Sequence, residues 1–309
     1  VLTHLLAGSP VLILILFGYL LRIGKFFNKI SIDDIKKFVI NVSLPALIFS
    51  SFMRMDFDLE HLAVPVMIYV YCVIALLIGK FLGSALKIKS PYFPFFISGF
   101  ELGMIGYAMY MSLYGSDQLA VITFLDLGQT PFMFTVFVTV FLYQREGSQS
   151  VGATLKRLFT APIFLSLILG TLLSVFKLTP ENNAVFTLFE TVVVLIGSVT
   201  VPLISISVGY GIHFDKESFS LAAFTTVTRK IILVSLALLL NEVVIPLFFP
   251  FAIMYRYAIM IMALTPSSFI LTVLVKDDDV KASNYINTTL SLDSLTSLFL
   301  MILAATFYR

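Results

Sequence analysis

The sequence predicts an all-α polytopic membrane protein made of two five-helix repeats that lie inverted with respect to each other. Three observations predict it. The 309 residues are 59% hydrophobic and only 12% charged, more apolar matter than a soluble domain can hide behind a wetted surface. Apolar runs close to the ~20 residues that cross a bilayer recur from one end of the chain to the other. Finally, "NVSLPALIFSSFMRMDFDLE" (41–60) returns without a gap as "SVTVPLISISVGYGIHFDKE" (198–217), sharing Val42/Val199, Pro45/Pro202, Ser50/Ser207, Phe57/Phe214, Asp58/Asp215 and Glu60/Glu217. A proline inside an apolar run, repeated in register with such neighbours, marks an internal repeat.

The same composition excludes other classes. A net charge of +2 is too small to attract nucleic acid. The single cysteine, Cys72, supports neither a disulfide framework nor a thiolate metal site. His4, His61 and His213 stand near span ends without metal-ligand spacing. Neither a Ser/His/Asp set nor a paired acidic motif marks an enzyme, and the run "KDDDVKA" (276–282) reads as a solvated turn. No catalytic residue, metal or resident cofactor is expected.

Ten spans are predicted, near residues 8–23, 34–53, 61–83, 93–114, 119–143, 160–177, 183–212, 219–240, 251–275 and 283–308. Spans 1 and 6 match as "SPVLILILFGYLL" (9–21) and "APIFLSLILGTLL" (161–173). Pro10 and Pro162 are placed at their starts, where a missing N–H costs nothing. Spans 2 and 7 carry the repeated prolines Pro45 and Pro202, expected to bend them. Span 4 contains "SGFELGMIGYAMY" (98–110), with Gly99, Gly103 and Gly106. Span 5 contains Asp126 and Gln129 in "TFLDLGQTP", and span 8 contains Arg229 and Lys230. Span 9 contains Arg256 and "MALTPSSF" (262–269), and span 10 contains Asn287 and Asp293.

Lys and Arg set the expected orientation. Segments after odd-numbered spans hold most of them, among them Lys25, Lys36, Lys37, Lys87, Arg145, Arg157 and Lys216, against Arg54, Lys177 and Arg309 on the other side. The positive-inside rule then puts both termini outside. Spans 2 and 7 run in opposite directions, so the repeat is inverted: residues 1–143 form the first half, 144–159 a cytoplasmic linker and 160–309 the second half. Inverted repeats are characteristic of secondary transporters, whose substrate sites lie near the midplane where a helix in each half is broken.

The most interrupted stretches are the fourth span of each half. Glu101, Gly103 and Gly106 in span 4, with Thr265, Pro266, Ser267 and Ser268 in span 9, are therefore the candidate substrate-binding residues. Taken singly, each stretch also reads as close helix packing and a proline kink. Glu101 stands near mid-span, where a charge costs at least about 2.5–3.5 kcal/mol unless paired or hydrated. It reads as a proton-coupling group, as a substrate acceptor or as the partner of a base; Arg229, Lys230 and Arg256, bases well inside spans, are the candidate partners, and Arg229 and Arg256 are also candidate counter-charges for an anion. Asp126, Gln129, Asn287 and Asp293 are candidates for a polar or ion-coupling cavity, or are simply solvated by neighbouring hydroxyls.

"NVSLPALIFSSF" (41–52), "GFELGMIGYAMYMSLYG" (99–115) and "ALTPSSFILTVLV" (263–275) together resemble the auxin efflux carrier family, which includes plant auxin exporters and bacterial malate and malonate permeases. The resemblance runs through essentially the whole chain, and the short linker is like that of the bacterial members. It implies a ten-helix fold similar to the bile-acid symporter architecture. Spans 1, 2, 6 and 7 would be a scaffold, also the surface for a homodimer, and spans 3–5 and 8–10 an elevator-like transport domain with crossed broken helices 4 and 9. Two departures stand out: Glu101 where many relatives have asparagine, and Ala108 where they have proline. Auxin specificity is therefore not carried over. The expected function is secondary transport of a small organic anion, a mono- or dicarboxylate, across a bacterial cytoplasmic membrane, with H+ or Na+ as coupling ion. A sensor of the same fold, binding without transport, is the alternative.

Overall fold

The structure, a computed structural model, describes residues 2–53, 63–146, 152, 160–178, 180, 183–248, 253–275 and 279–308. Phe57, Asp58, Glu60 and His61, most of the linker, Lys276, Asp277 and Asp278, and Arg54 and Arg309 lie outside the described residues, as do the side chains of His4 and Arg145.

Among the described residues the chain is helical, with no strand. In chain order the helices are α1 (Leu2–Ile23), α2 (29–53), α3 (Ala63–Ala85), α4 (Phe93–Ser98), α5 (102–114), α6 (119–146), α7 (Pro162–Val175), α8 (184–211), α9 (219–248), α10 (Ile253–Leu264), α11 (Ile270–Leu274) and α12 (Val280–Phe307). Six of them, α2, α3, α6, α8, α9 and α12, contain runs long and apolar enough to cross a membrane, and α1, α7 and α10 contain shorter apolar helices. Large apolar side chains such as Phe17, Leu77, Phe81, Leu188, Leu195, Ile231 and Phe299 stand exposed on their outer faces. In water such faces would aggregate; against lipid they are matched. The chain is a multi-pass membrane protein.

Prolines account for two of the π-helical turns among the described residues. Pro45 and Pro246 each follow a π-helical turn by two residues, Val39–Ser43 in α2 and Leu240–Val244 in α9. A proline offers no N–H and its ring presses on the carbonyl four residues back, here Asn41 and Glu242, and a widened turn relieves both. Pro202 lies in the first turn after α8 is interrupted at Val199, where its missing donor is not needed. Pro162 opens α7 as expected. Pro10 does not open α1: the helix begins at Leu2 and carries Pro10 inside it.

Glycine brings several helix pairs into close contact, and two of these pairs use the matched glycines of the repeat. α1 packs along the second part of α8, Thr200–Gly211, and α7 packs on Leu44–Met53 of α2. A Cβ on Gly18 would overlap the Ile206 carbonyl, and one on Gly209 would overlap that of Ile15. One on Gly170 would press on the Phe49 carbonyl and Phe52. Gly18 and Gly170 are the matched glycines of the sequence repeat, and each lets two backbones approach as small residues do in membranes. Elsewhere α3 packs against α4 and α6, while α9 packs against α4, α10 and α12. That second set surrounds two short interruptions, after α4 and after α10.

Gly209→Ala forces the α1 backbone to move, and we expect a loss of about 1–3 kcal/mol. Gly211→Ala, whose added carbon meets nothing within 4 Å, serves as the control. Melting of the detergent-purified variants checks the difference: a Gly209→Ala protein as stable as the control would contradict the close packing.

Candidate functional site

α4 stops at Ser98 and α5 starts at Leu102; Gly99 between them is extended, with φ −94° and ψ 147°. α10 stops at Leu264 and α11 starts at Ile270. The two gaps meet. The Glu101 N–H donates to the Pro266 carbonyl at 2.9 Å, and the Phe269 N–H donates to Glu101 Oε2 at 2.8 Å. Gly99 allows the approach, since a Cβ there would press on Ser268 and the Phe137 ring.

A helix that stops inside the bundle leaves carbonyls without partners, and cations suit its C-terminal end. Arg229 and Lys230, consecutive on α9, meet that need at both interruptions. Arg229 donates to the Phe96 carbonyl at the end of α4, and to the carbonyls of Thr265 at 3.3 Å and Pro266 at 3.2 Å. Lys230 donates to the carbonyls of Leu264 and Thr265, each at 2.9 Å, and to Ser297 Oγ at 2.7 Å. Asp293 of α12 binds the two bases: Oδ2 lies 3.1 Å from Arg229 Nε, and Oδ1 lies 2.7 Å from Lys230 Nζ. Its Oδ2 also accepts the Ser267 N–H at 2.7 Å. The Arg229 guanidinium sits 5.1 Å from the centre of the Phe100 ring, a cation–π contact. Arg229 and Asp293 are fully buried and Lys230 nearly so.

A cavity of about 600 Å³ ends on this crossing. Phe100, Glu101 and Gly103 line it from the first interruption, and Ser268, Phe269 and Ile270 from the second. Asp126, Gln129 and Thr130 of α6 and Asn287, Ser291 and Ser294 of α12 add polar walls. Lys36 and the exposed Lys37 of α2 line it as well. Asp126 is held by the Tyr107 hydroxyl at 2.5 Å and the Thr130 hydroxyl at 3.0 Å. Gln129 Nε2 donates to the Phe100 carbonyl at 2.7 Å, tying α6 to the first interruption.

Of the residues singled out from the sequence, Glu101, Gly103, Ser268, Asp126, Gln129 and Asn287 share the cavity wall. Thr265, Pro266 and Ser267 build the crossing behind it, and Gly106 faces the Thr265 methyl group. Asp293 stands on the far side of that wall, in the ion cluster. Neither candidate counter-charge lines the cavity: Arg229 pairs with Asp293, and Arg256 pairs with Glu242. The physical reason is the demand of the interrupted helix ends, whose carbonyls draw Arg229 inward. Sequence reading missed the Lys230 contacts, the Tyr107 hydroxyl on Asp126 and the Phe269 N–H on Glu101. An available signal was the Arg–Lys pair in mid-span, which demands a buried acid nearby. Among the described residues no three His, Cys, Asp or Glu side chains gather as a metal site would require.

Broken helices that meet at a cavity are a transporter's architecture, and the comparison of sequences agrees. A family model described as membrane transport protein matches residues 6–304. The chain belongs to that family. It is the auxin efflux carrier family, the one that the motifs of spans 2, 4 and 9 resemble. An uncharacterized transporter of Methanothermobacter thermautotrophicus is 28% identical over 235 residues, 73% of this chain and 73% of that protein. An uncharacterized transporter of Methanocaldococcus jannaschii is 26% identical over 243 residues, 76% of this chain and 78% of that protein. As a member of the family the chain is a membrane transport protein.

Asp293→Asn leaves two buried bases without their anion, and a loss of about 3–5 kcal/mol is expected. Arg256→Ala removes a partly exposed pair and should stay within about 1 kcal/mol. Thermal melting of both variants in detergent tests the ranking, and equal losses would refute it.

Proposed function

We propose that the chain is a secondary active carrier of a small organic acid, a mono- or dicarboxylate, driven by protons and working by alternating access. The observation that carries this reading is the cavity of about 600 Å³ that ends where the two interrupted helices meet. Its volume suits a small metabolite, and its place at the crossing is where carriers with broken helices bind their solute. Ser268, Asn287 and Gln129 offer neutral hydrogen-bond groups for a carboxylate and its substituents, and Lys36 and Lys37, beside Asp33 and Asp34 of their own helix, stand at the wall.

Glu101 and Asp126 share that wall. An anion settles beside them only when a proton has removed at least one of the charges, and this is the basis of coupling. A proton on Glu101 also weakens the charge-assisted bond from the Phe269 N–H, one of the links between the interruptions. Proton binding thereby reaches the geometry of the crossing. In this reading ten spans form two inverted five-helix halves. The elements around the crossing move as an elevator against a scaffold built from α1, α2, α7 and α8. By the positive-inside count the cavity wall with Lys36 and Lys37 is cytoplasmic, and both termini are outside. The protein resides in the cytoplasmic membrane. The exposed apolar face of Ala184–Ser198, with Val185, Leu188, Val192 and Leu195, serves lipid or a second scaffold.

Uptake of labelled malate, malonate, lactate and indole-acetate into proteoliposomes, with and without an inward proton gradient, tests the reading. One acid should accumulate, and more so with the gradient. Binding without flux, in vesicles where a control carrier works, would make the protein a sensor instead. Glu101→Gln keeps an oxygen for the Phe269 N–H and loses the titrating proton. It should abolish gradient-driven accumulation and spare exchange of one substrate molecule for another. Full accumulation by that variant would remove Glu101 from coupling.

A further inference from the structure

Carriers with interrupted helices hold their coupling cation on unwound carbonyls and on the C-terminal ends of half-helices. Here a side chain already occupies such oxygens. Lys230 Nζ has the Leu264 and Thr265 carbonyls at 2.9 Å, Ser297 Oγ at 2.7 Å and Asp293 Oδ1 at 2.7 Å. Carbonyl, hydroxyl and carboxylate oxygens are the ligand set of a hard cation, and they come from two elements, the end of α10 and the middle of α12. Arg229 repeats the arrangement at the other interruption, on the Phe96 carbonyl, and shares Asp293. Neither base lines the cavity, so neither is placed to meet the solute.

We propose that the Lys230 ammonium, seconded by Arg229, is a tethered cation filling the cation site of the helix crossing, so that no dissociable Na+, K+ or Li+ enters there during transport. The proposal deepens the proton-driven carrier reading and rests on it for its place in a transport cycle. Lys230 is a positioning residue, holding α10 and α12 together without touching the solute. One consequence separates this role from ordinary packing. Removing the amine alone leaves four oxygens, one of them a carboxylate, facing a space that an inorganic cation can take. A lysine that merely packs leaves a protein equally weakened in every salt.

The test is the melting temperature of detergent-purified Lys230→Ala in choline chloride, then in NaCl, KCl and LiCl at the same ionic strength, so that screening is constant. The variant should melt below the wild type in choline. At least one inorganic cation should raise it by roughly 4 °C, saturably, while the same exchange leaves the wild type unmoved. A folded variant that melts alike in all four salts overturns the proposal. So does a wild-type protein whose melting or uptake rises in sodium over choline. Should Lys230→Ala not fold, Lys230→Met, which keeps the apolar stem, carries the same measurement. If neither folds, the wild type decides: a cation response refutes the tethered cation and indifference supports it. Melting needs no substrate and no flux, so a failure of the carrier reading, seen as absent uptake, is read separately.

Discussion

Interrupting a helix inside a membrane frees backbone groups where no bulk water can satisfy them, and the cluster of Arg229, Lys230 and Asp293 is what makes two such interruptions tolerable here. The two bases take carbonyls from the ends of both α4 and α10, and the single carboxylate binds both bases and a backbone N–H of the second gap. A buried ion pair is not in itself a source of stability, because desolvation of its members offsets their attraction. Its value lies in specifying one arrangement: with either base displaced, helix-end carbonyls would be left without donors.

The rest of the site follows from that arrangement. With the gaps held against each other, the Glu101 N–H reaches Pro266 and the Glu101 carboxylate receives the Phe269 N–H. Gln129 then anchors α6 to Phe100, and Asp126 is presented to the cavity under the Tyr107 and Thr130 hydroxyls. Behind the wall Arg229 and Lys230 are engaged with helix ends and with Asp293; on the wall stand Glu101 and Asp126, with Lys36 and Lys37. Around this centre the membrane-facing helices use glycine contacts, Gly18 on Ile206 and Gly209 on Ile15, which give α1 and α8 a close backbone fit.

Family membership and geometry bear on different questions. Membership over residues 6–304 makes the chain a membrane transport protein. The organic acid, the proton and the tethered cation are what we propose beyond membership, each with its own measurement. Glu101 is the residue on which the proposed coupling chiefly rests.

Read by itself, the sequence determined the helical, membrane-spanning class, the family, and where helices would be interrupted. These are local properties: apolar run length, the glycine cluster around Gly103, and Pro266 among hydroxyls each act within a few residues of chain. It also brought forward Glu101, Asp126, Gln129, Asn287 and Ser268, which share the cavity wall. The tertiary structure alone decided which polar groups meet. Along the chain Arg229 was open to Glu101 or to a substrate, and the structure pairs it instead with Asp293. The choice was made by the crossing of α4 and α10 beside α9 and α12, because a charge buried among helix ends goes where unpaired carbonyls and a carboxylate converge.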